Sequence, residues 1–114
     1  MLTIIETHAF ARRAAKLLTS EEHDDLLFYL AVHADAGDEI PGTGRVRKLR
    51  FAAMGRGKSG GVRAIYYFFD KENPLYALLL YGKNEQVNLS PDQKRDISTF
   101  AASIKASAKS RRSK

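Results

Sequence analysis

The chain has 114 residues, of which 44% are hydrophobic and 28% charged, with a net charge of +6 and no cysteine. That length suits one domain with one modest core, and the apolar share is that of a globular chain rather than a disordered one. Without cysteine there is no disulfide framework, no thiolate metal site and no cysteine nucleophile.

Residues 2–7, rich in Leu, Ile and Thr, read as a first strand. The opening Met1-Leu2-Thr3-Ile4-Ile5-Glu6 has neither the basic run nor the apolar length of a signal peptide. No apolar run approaches the roughly 20 residues of a membrane span, so a soluble cytoplasmic protein with no membrane partner is expected. Residues 9–18 predict a helix whose buried stripe is Ala11, Ala14, Ala15 and Leu18, with Arg12, Arg13 and Lys16 turned away. A second helix starts near Thr19, where Thr19 and Glu22 have capping-box spacing. Its stripe is Leu27, Leu30, Ala31 and Ala34, and Gly37 is the expected stop. Residues 37–44 read as a loop.

Three strands follow, at about 45–51, 62–70 and 75–83. A glycine-rich basic link, 52–61, joins the first two, and Lys71-Glu72-Asn73-Pro74 makes a tight turn between the others. The second and third strands are long apolar runs, as central strands buried on both faces would be. Ser90-Pro91-Asp92-Gln93 opens a last helix, with Ser90 as cap, Pro91 in the first turn and Gln93 completing a box. Its expected stripe is Ile97, Phe100, Ala101 and Ile104. The basic, serine-rich residues 105–114 read as a frayed tail on a single domain spanning 1–104. The order β-α-α-β-β-β-α is that of an α+β fold.

Charge is polarised along this order. Residues 20–39 hold seven acids and no Lys or Arg, 45–63 hold seven bases and no acid, and 105–114 add five bases. A basic surface attracts phosphates through Coulomb forces and counterion release; membrane surfaces and acidic proteins are the other partners such charge admits. Strand alternation puts Lys48 and Arg50 on one face and Arg47 on the other. If the three strands are neighbours, Lys48, Arg50, Arg63 and Lys83 converge, with Tyr67 and Tyr81 at the border. Guanidinium and ammonium groups hold phosphates and aromatic planes stack bases, so the pattern suits RNA, with Arg47, Arg56 and Lys58 as further contacts.

The same patch has the chemistry for cleavage. An RNase that uses the substrate's 2′-hydroxyl must deprotonate it, stabilise the phosphorane and protonate the leaving 5′-oxygen. His8, His23 and His33 are badly placed for this, on the first strand and the acidic helix. Crowded cations lower a lysine's pKa and make it a candidate base, arginines stabilise the charge that develops, and Glu85 is a second candidate for proton transfer. Gly57-Lys58-Ser59 imitates the end of a P-loop, but Ala52 stands where the first glycine belongs and a strand follows instead of a helix. His23-Asp24-Asp25 has no second ligand cluster, so neither a metal nor another cofactor is expected.

Pro41-Gly42-Thr43-Gly44, Arg47-Lys48-Leu49-Arg50-Phe51, the stretch Gly55 to Arg63, Ile65-Tyr66-Tyr67 and Tyr81-Gly82-Lys83-Asn84-Glu85 together resemble the HigB branch of the RelE/ParE toxin superfamily, especially its phage Gp49-like members. The resemblance covers nearly the whole chain. It implies a microbial RNase-like fold, with helices packed on one face of a largely antiparallel sheet. It also implies metal-independent cleavage of mRNA in the ribosomal A site, and neutralisation by a HigA-like helix-turn-helix antitoxin through which alone operator DNA is bound. By similarity, Lys48 and Arg50 match the basic pair of the second strand, Arg63 matches the arginine that opens the next, and Lys83 lies near the basic residue after the last. The tyrosine found further on in RelE has no counterpart in Val87-Asn88-Leu89-Ser90, so the resemblance does not assign the general base. A ParE-like toxin that poisons DNA gyrase and a non-catalytic nucleic-acid-binding regulator are the alternatives.

Overall fold

The computed structural model describes residues 2–53 and 61–112. Among these, the chain runs β1 (Ile4–Glu6), α1 (His8–Leu17), α2 (Ser20–Val32), β2 (Asp38–Glu39), β3 (Arg47–Phe51), β4 (Val62–Tyr67), β5 (Leu75–Gly82) and α3 (Pro91–Arg112). The fold class is α+β and the expected order holds, with β2 added inside the segment read as a loop. Thr43 creates that addition. Its buried hydroxyl donates to the Ile40 carbonyl at 2.6 Å and accepts from the Val46 N–H at 3.1 Å, which closes a tight turn and pairs Asp38 and Glu39 with Lys48 and Arg47. Two residues are too few to show a strand period.

The five strands form one sheet in the order β1-β5-β4-β3-β2, with β1 parallel to β5 and the other pairs antiparallel. Alternate residues of the inner strands feed two separate cores. Leu49, Val62, Ala64, Tyr66, Leu75, Ala77 and Leu80 pack on Phe10, Ala14 and Leu17 of α1 and Leu26 and Leu30 of α2. Ile65, Tyr67, Leu78 and Tyr81 pack on Ile97, Ala101 and Ile104 of α3. Helices therefore cover both faces, and the one-sided packing implied by the resemblance is corrected. The cause is the apolar character of β4 and β5 on both sides. Each large side chain left exposed would forgo about 1.5–3 kcal/mol, so each face requires a cover.

Helix rotation also differs from the sequence-based expectation. In α1, Phe10, Ala14 and Leu17 are buried while Ala11 and Ala15 face solvent, because the large aromatic ring dominates the choice of face. Thr7 holds that rotation: its hydroxyl caps the Phe10 N–H at 3.1 Å and donates to the Leu78 carbonyl at 2.8 Å. The Thr19–Glu22 capping box forms, with bonds of 3.0 and 3.1 Å. The helix it starts ends at Val32, well before Gly37, and buries Leu26 ahead of Leu27. Gly37 has a different job. Its N–H donates to the Tyr66 hydroxyl at 2.8 Å, and a Cβ would sit 2.8 Å from that same oxygen, so no side chain fits.

At the other end of the chain the Ser90–Gln93 box forms as expected. Helix α3 then continues to Arg112, through the segment expected to fray. Ala108, only 1% exposed, extends the stripe of Ile97, Ala101 and Ile104, while Phe100 is 41% exposed. Arg111 adds a bond from Nη2 to Asn73 Oδ1 at 3.0 Å, tying the helix end to the β4–β5 turn.

Candidate nucleic-acid interface

The register of the inner strands decides which cations meet. Arg50 lies opposite Arg63, Arg63 opposite Tyr81, and Lys48 opposite Ile65. Directly paired residues have Cβ atoms about 4.5–5.5 Å apart, and Lys48 stands two residues, about 7 Å, along β3 from Arg50. Ile65 and Tyr81 belong to the α3-side core, so Lys48, Arg50 and Arg63 share that side of the sheet. Arg50 is exposed, and Lys48 and Arg63 are half-buried. Lys83 continues the line. Its N–H donates to the Gly61 carbonyl at 3.2 Å, one step past the end of β5, and its side chain is exposed. Gly61 permits this closure, because its φ of +75° disfavours any side chain and a Cβ would collide with the Phe51 carbonyl. Arg56 and Lys58 lie outside the described residues.

Like charges directly opposite in a sheet repel. An anion placed between the guanidinium groups of Arg50 and Arg63 would remove that repulsion and gain charge-assisted hydrogen bonds. Arg63 also donates from Nη1 to the Val62 carbonyl at 3.4 Å, and the row has the charge to accept a phosphate.

Other expected contacts are placed elsewhere. Arg47 points to the α1/α2 side, where Nη1 donates to the carbonyls of Asp35 at 3.1 Å and Gly37 at 2.7 Å and Nη2 lies 3.5 Å from Glu39. It braces the approach to β2 and does not join the row. Glu85 also leaves the row: its carboxylate accepts from the Gly82 N–H at 2.7 Å and pairs with Arg13 of α1. Gly82 has the parity of Leu80, which faces α1, so this carboxylate stands on the far side of the sheet from Lys48 and Arg50. Tyr67 is a core residue, 2% exposed, with no ring face for a base. Tyr81 is equally enclosed, and its hydroxyl has no hydrogen-bond partner among the described residues. Burial raises the phenol's pKa, the nearby Arg63 opposes this, and the net shift is upward, so Tyr81 stays neutral.

Two residues escaped the sequence reading. Arg13, assigned to solvent, donates from Nε to the Leu80 carbonyl at 3.3 Å as well as pairing with Glu85. Lys94 is half-buried in the first turns of α3, with its ammonium near Gly42. Its signal was present in the spacing, since Lys94 precedes Ile97 by three residues and so shares the buried stripe. His23, the seed of the metal reading, bonds Glu6 at 2.7 Å and links α2 to β1. Among the described residues no cluster of ligands suits a metal, and no helix is long and apolar enough to cross a membrane.

A model of a protein family described as the RelE toxin of the RelE/RelB toxin–antitoxin system matches residues 3–113. The chain belongs to the RelE toxin family. The match spans both cores and the cationic row, so the row of this RelE-family toxin lies within the family's own domain and not on an appendage. The family also supplies a partner class, since a toxin of such a system is paired with an antitoxin.

Proposed function

We propose that this RelE-family toxin is a HigB-type, ribosome-dependent endoribonuclease that cuts translated mRNA in the A site, in the cytoplasm. The observation that carries the reading is the register of Arg50 on Arg63, with Lys48 on the same face and Lys83 at its open end. In the proposed reaction the RNA 2′-oxygen attacks the adjacent phosphorus. A new P–O bond forms as the bond to the 5′-oxygen breaks, leaving a 2′,3′-cyclic phosphate and a free 5′-hydroxyl. The 2′-hydroxyl proton is lost and the leaving oxygen gains one. Arg50 and Arg63 grip the phosphoryl oxygens and stabilise the charge of the phosphorane, while Lys48 and Lys83 supply further charge and the capacity to move protons. The scheme uses side chains alone. Its partner is a HigA-like antitoxin with a helix-turn-helix domain, which carries the pair to operator DNA.

Induced expression followed by mapping of mRNA 5′ ends tests this. Cuts in phase with codons, confined to translated messages, are expected. Accumulated DNA breaks without such cuts would replace the nuclease with a gyrase poison.

A further inference from the structure

Strand β5 outruns its neighbour on one side. β1 pairs with it only at Leu75, Tyr76 and Ala77, whereas β5 continues to Gly82. Backbone groups beyond that point need other partners, and side chains supply them in order along the strand. The Leu78 carbonyl accepts from the Thr7 hydroxyl at 2.8 Å. The Leu80 carbonyl accepts from Arg13 Nε at 3.3 Å. The Gly82 N–H donates to Glu85 Oε1 at 2.7 Å, and Arg13 Nη2 bonds that same oxygen. Arg13 therefore links a carbonyl of β5 to the carboxylate that holds the strand's last N–H.

The turn that follows carries Lys83. The Glu85 N–H closes this turn on the Gly82 carbonyl at 3.0 Å, and the Lys83 N–H is tied to the Gly61 carbonyl at 3.2 Å. A Cβ on Gly82 would come within 2.8 Å of Asn84 Oδ1, so the chain curls tightly here. Lys83 is exposed, and a lysine is a point charge on a flexible stem. The direction in which that stem leaves the sheet is set by the backbone of the Gly82–Glu85 turn. The Arg13 and Glu85 side chains are 27% and 28% exposed, and an ion pair open to water adds little to global stability. Its effect is local: it anchors one turn to α1, whose Phe10, Ala14 and Leu17 are fixed in the core.

We infer that Arg13 is a positioning residue for Lys83. Acting through Glu85 and Gly82 from the α1 side of the sheet, it fixes the turn and so holds the Lys83 ammonium at the open end of the cationic row. The inference rests on the nuclease reading above. Arg13 itself stays away from the RNA. Its contribution is preorganisation, which matters because a misplacement of about 1 Å in a reacting geometry can cost on the order of a hundredfold in rate.

The test measures kcat and KM of the full chain on purified ribosomes loaded with one mRNA. Arg13→Met and Glu85→Ala should each lower kcat by roughly tenfold to a hundredfold, with KM little changed, as for an interaction that serves the transition state. Because both act on one turn, the double variant should be no slower than the slower single one. Glu85→Gln, whose amide oxygen still accepts both bonds, should cut at the wild-type rate. So should Arg12→Met, which removes the same charge from an exposed site on the same helix. In a Lys83→Ala background, Arg13→Met should bring no further loss of the residual cutting. Glu85→Ala changes an exposed turn and carries the test if Arg13→Met folds poorly. Wild-type kcat in the folded Arg13→Met and Glu85→Ala variants, or the same loss repeated without Lys83, overturns the positioning role and leaves the nuclease standing. A folded wild-type chain that cuts no message overturns both.

Discussion

Arg47 and Arg50 sit three residues apart on the same short strand and have opposite fates. On the α1/α2 side, Arg47 is held by the carbonyls of Asp35 and Gly37, and Arg13 on the same side is held by Leu80 and Glu85. On the α3 side, Lys48 and Arg50 have no such ligands among the described residues, and Arg50 faces another arginine across the ladder. Where α1 and α2 close over the sheet, the half-buried Arg47 and Arg13 are satisfied internally. Where the sheet runs past the start of α3, Arg50 is exposed and can meet a group from outside the chain. A basic residue's role here follows from its side of the pleat, not from its charge.

The largest expected effect breaks this comparison at the open side. Arg63→Ala and Lys83→Ala should each abolish growth inhibition on induction, with cleavage reduced on the order of 100–1000-fold while circular dichroism shows the fold intact. Full toxicity of both at normal expression would remove the row from the mechanism. A smaller effect of a different kind is expected on the closed side. Arg47→Ala leaves two backbone carbonyls without their donor, so the protein should lose about 1–3 kcal/mol of stability, read as a lower melting temperature. Growth inhibition should survive at low temperature, where the variant is still folded. A normal melting temperature with strongly reduced cleavage would instead move Arg47 to the RNA. The smallest effect belongs to Glu85→Gln, which weakens a partly exposed ion pair and should cost no more than about 1 kcal/mol. Its cleavage rate and pH profile should match the wild type; a shifted pH profile would restore Glu85 as a group that transfers protons.

The sequence made much of this legible, for reasons that can be named. The capping pairs Thr19–Glu22 and Ser90–Gln93 are local chemistry within three residues, and both form. The strict alternation of strands places Lys48 with Arg50 and apart from Arg47 on sequence grounds alone. Helix faces were less legible. A run of alanines offers nearly equal stripes: Ala14 and Leu18 are buried as expected, and only the sheet underneath selects Phe10 and Leu17 over Ala11 and Ala15. Glu85 is two residues from Lys83 along the chain, which is why spacing alone groups the two. In space the turn at Gly82 carries it to Arg13, 72 residues away along the chain.

The amino-acid sequence by itself determined the elements, their order, the caps and the concentration of positive charge in the β3–β4 region, because each depends on residues within a few positions of one another. Tertiary structure alone decided that α3 covers the second face, that Tyr67 is core and that the Tyr81 hydroxyl is enclosed. Those outcomes depend on which surfaces meet when the sheet closes, and the packing of two apolar faces is a property of the whole chain that no local window contains.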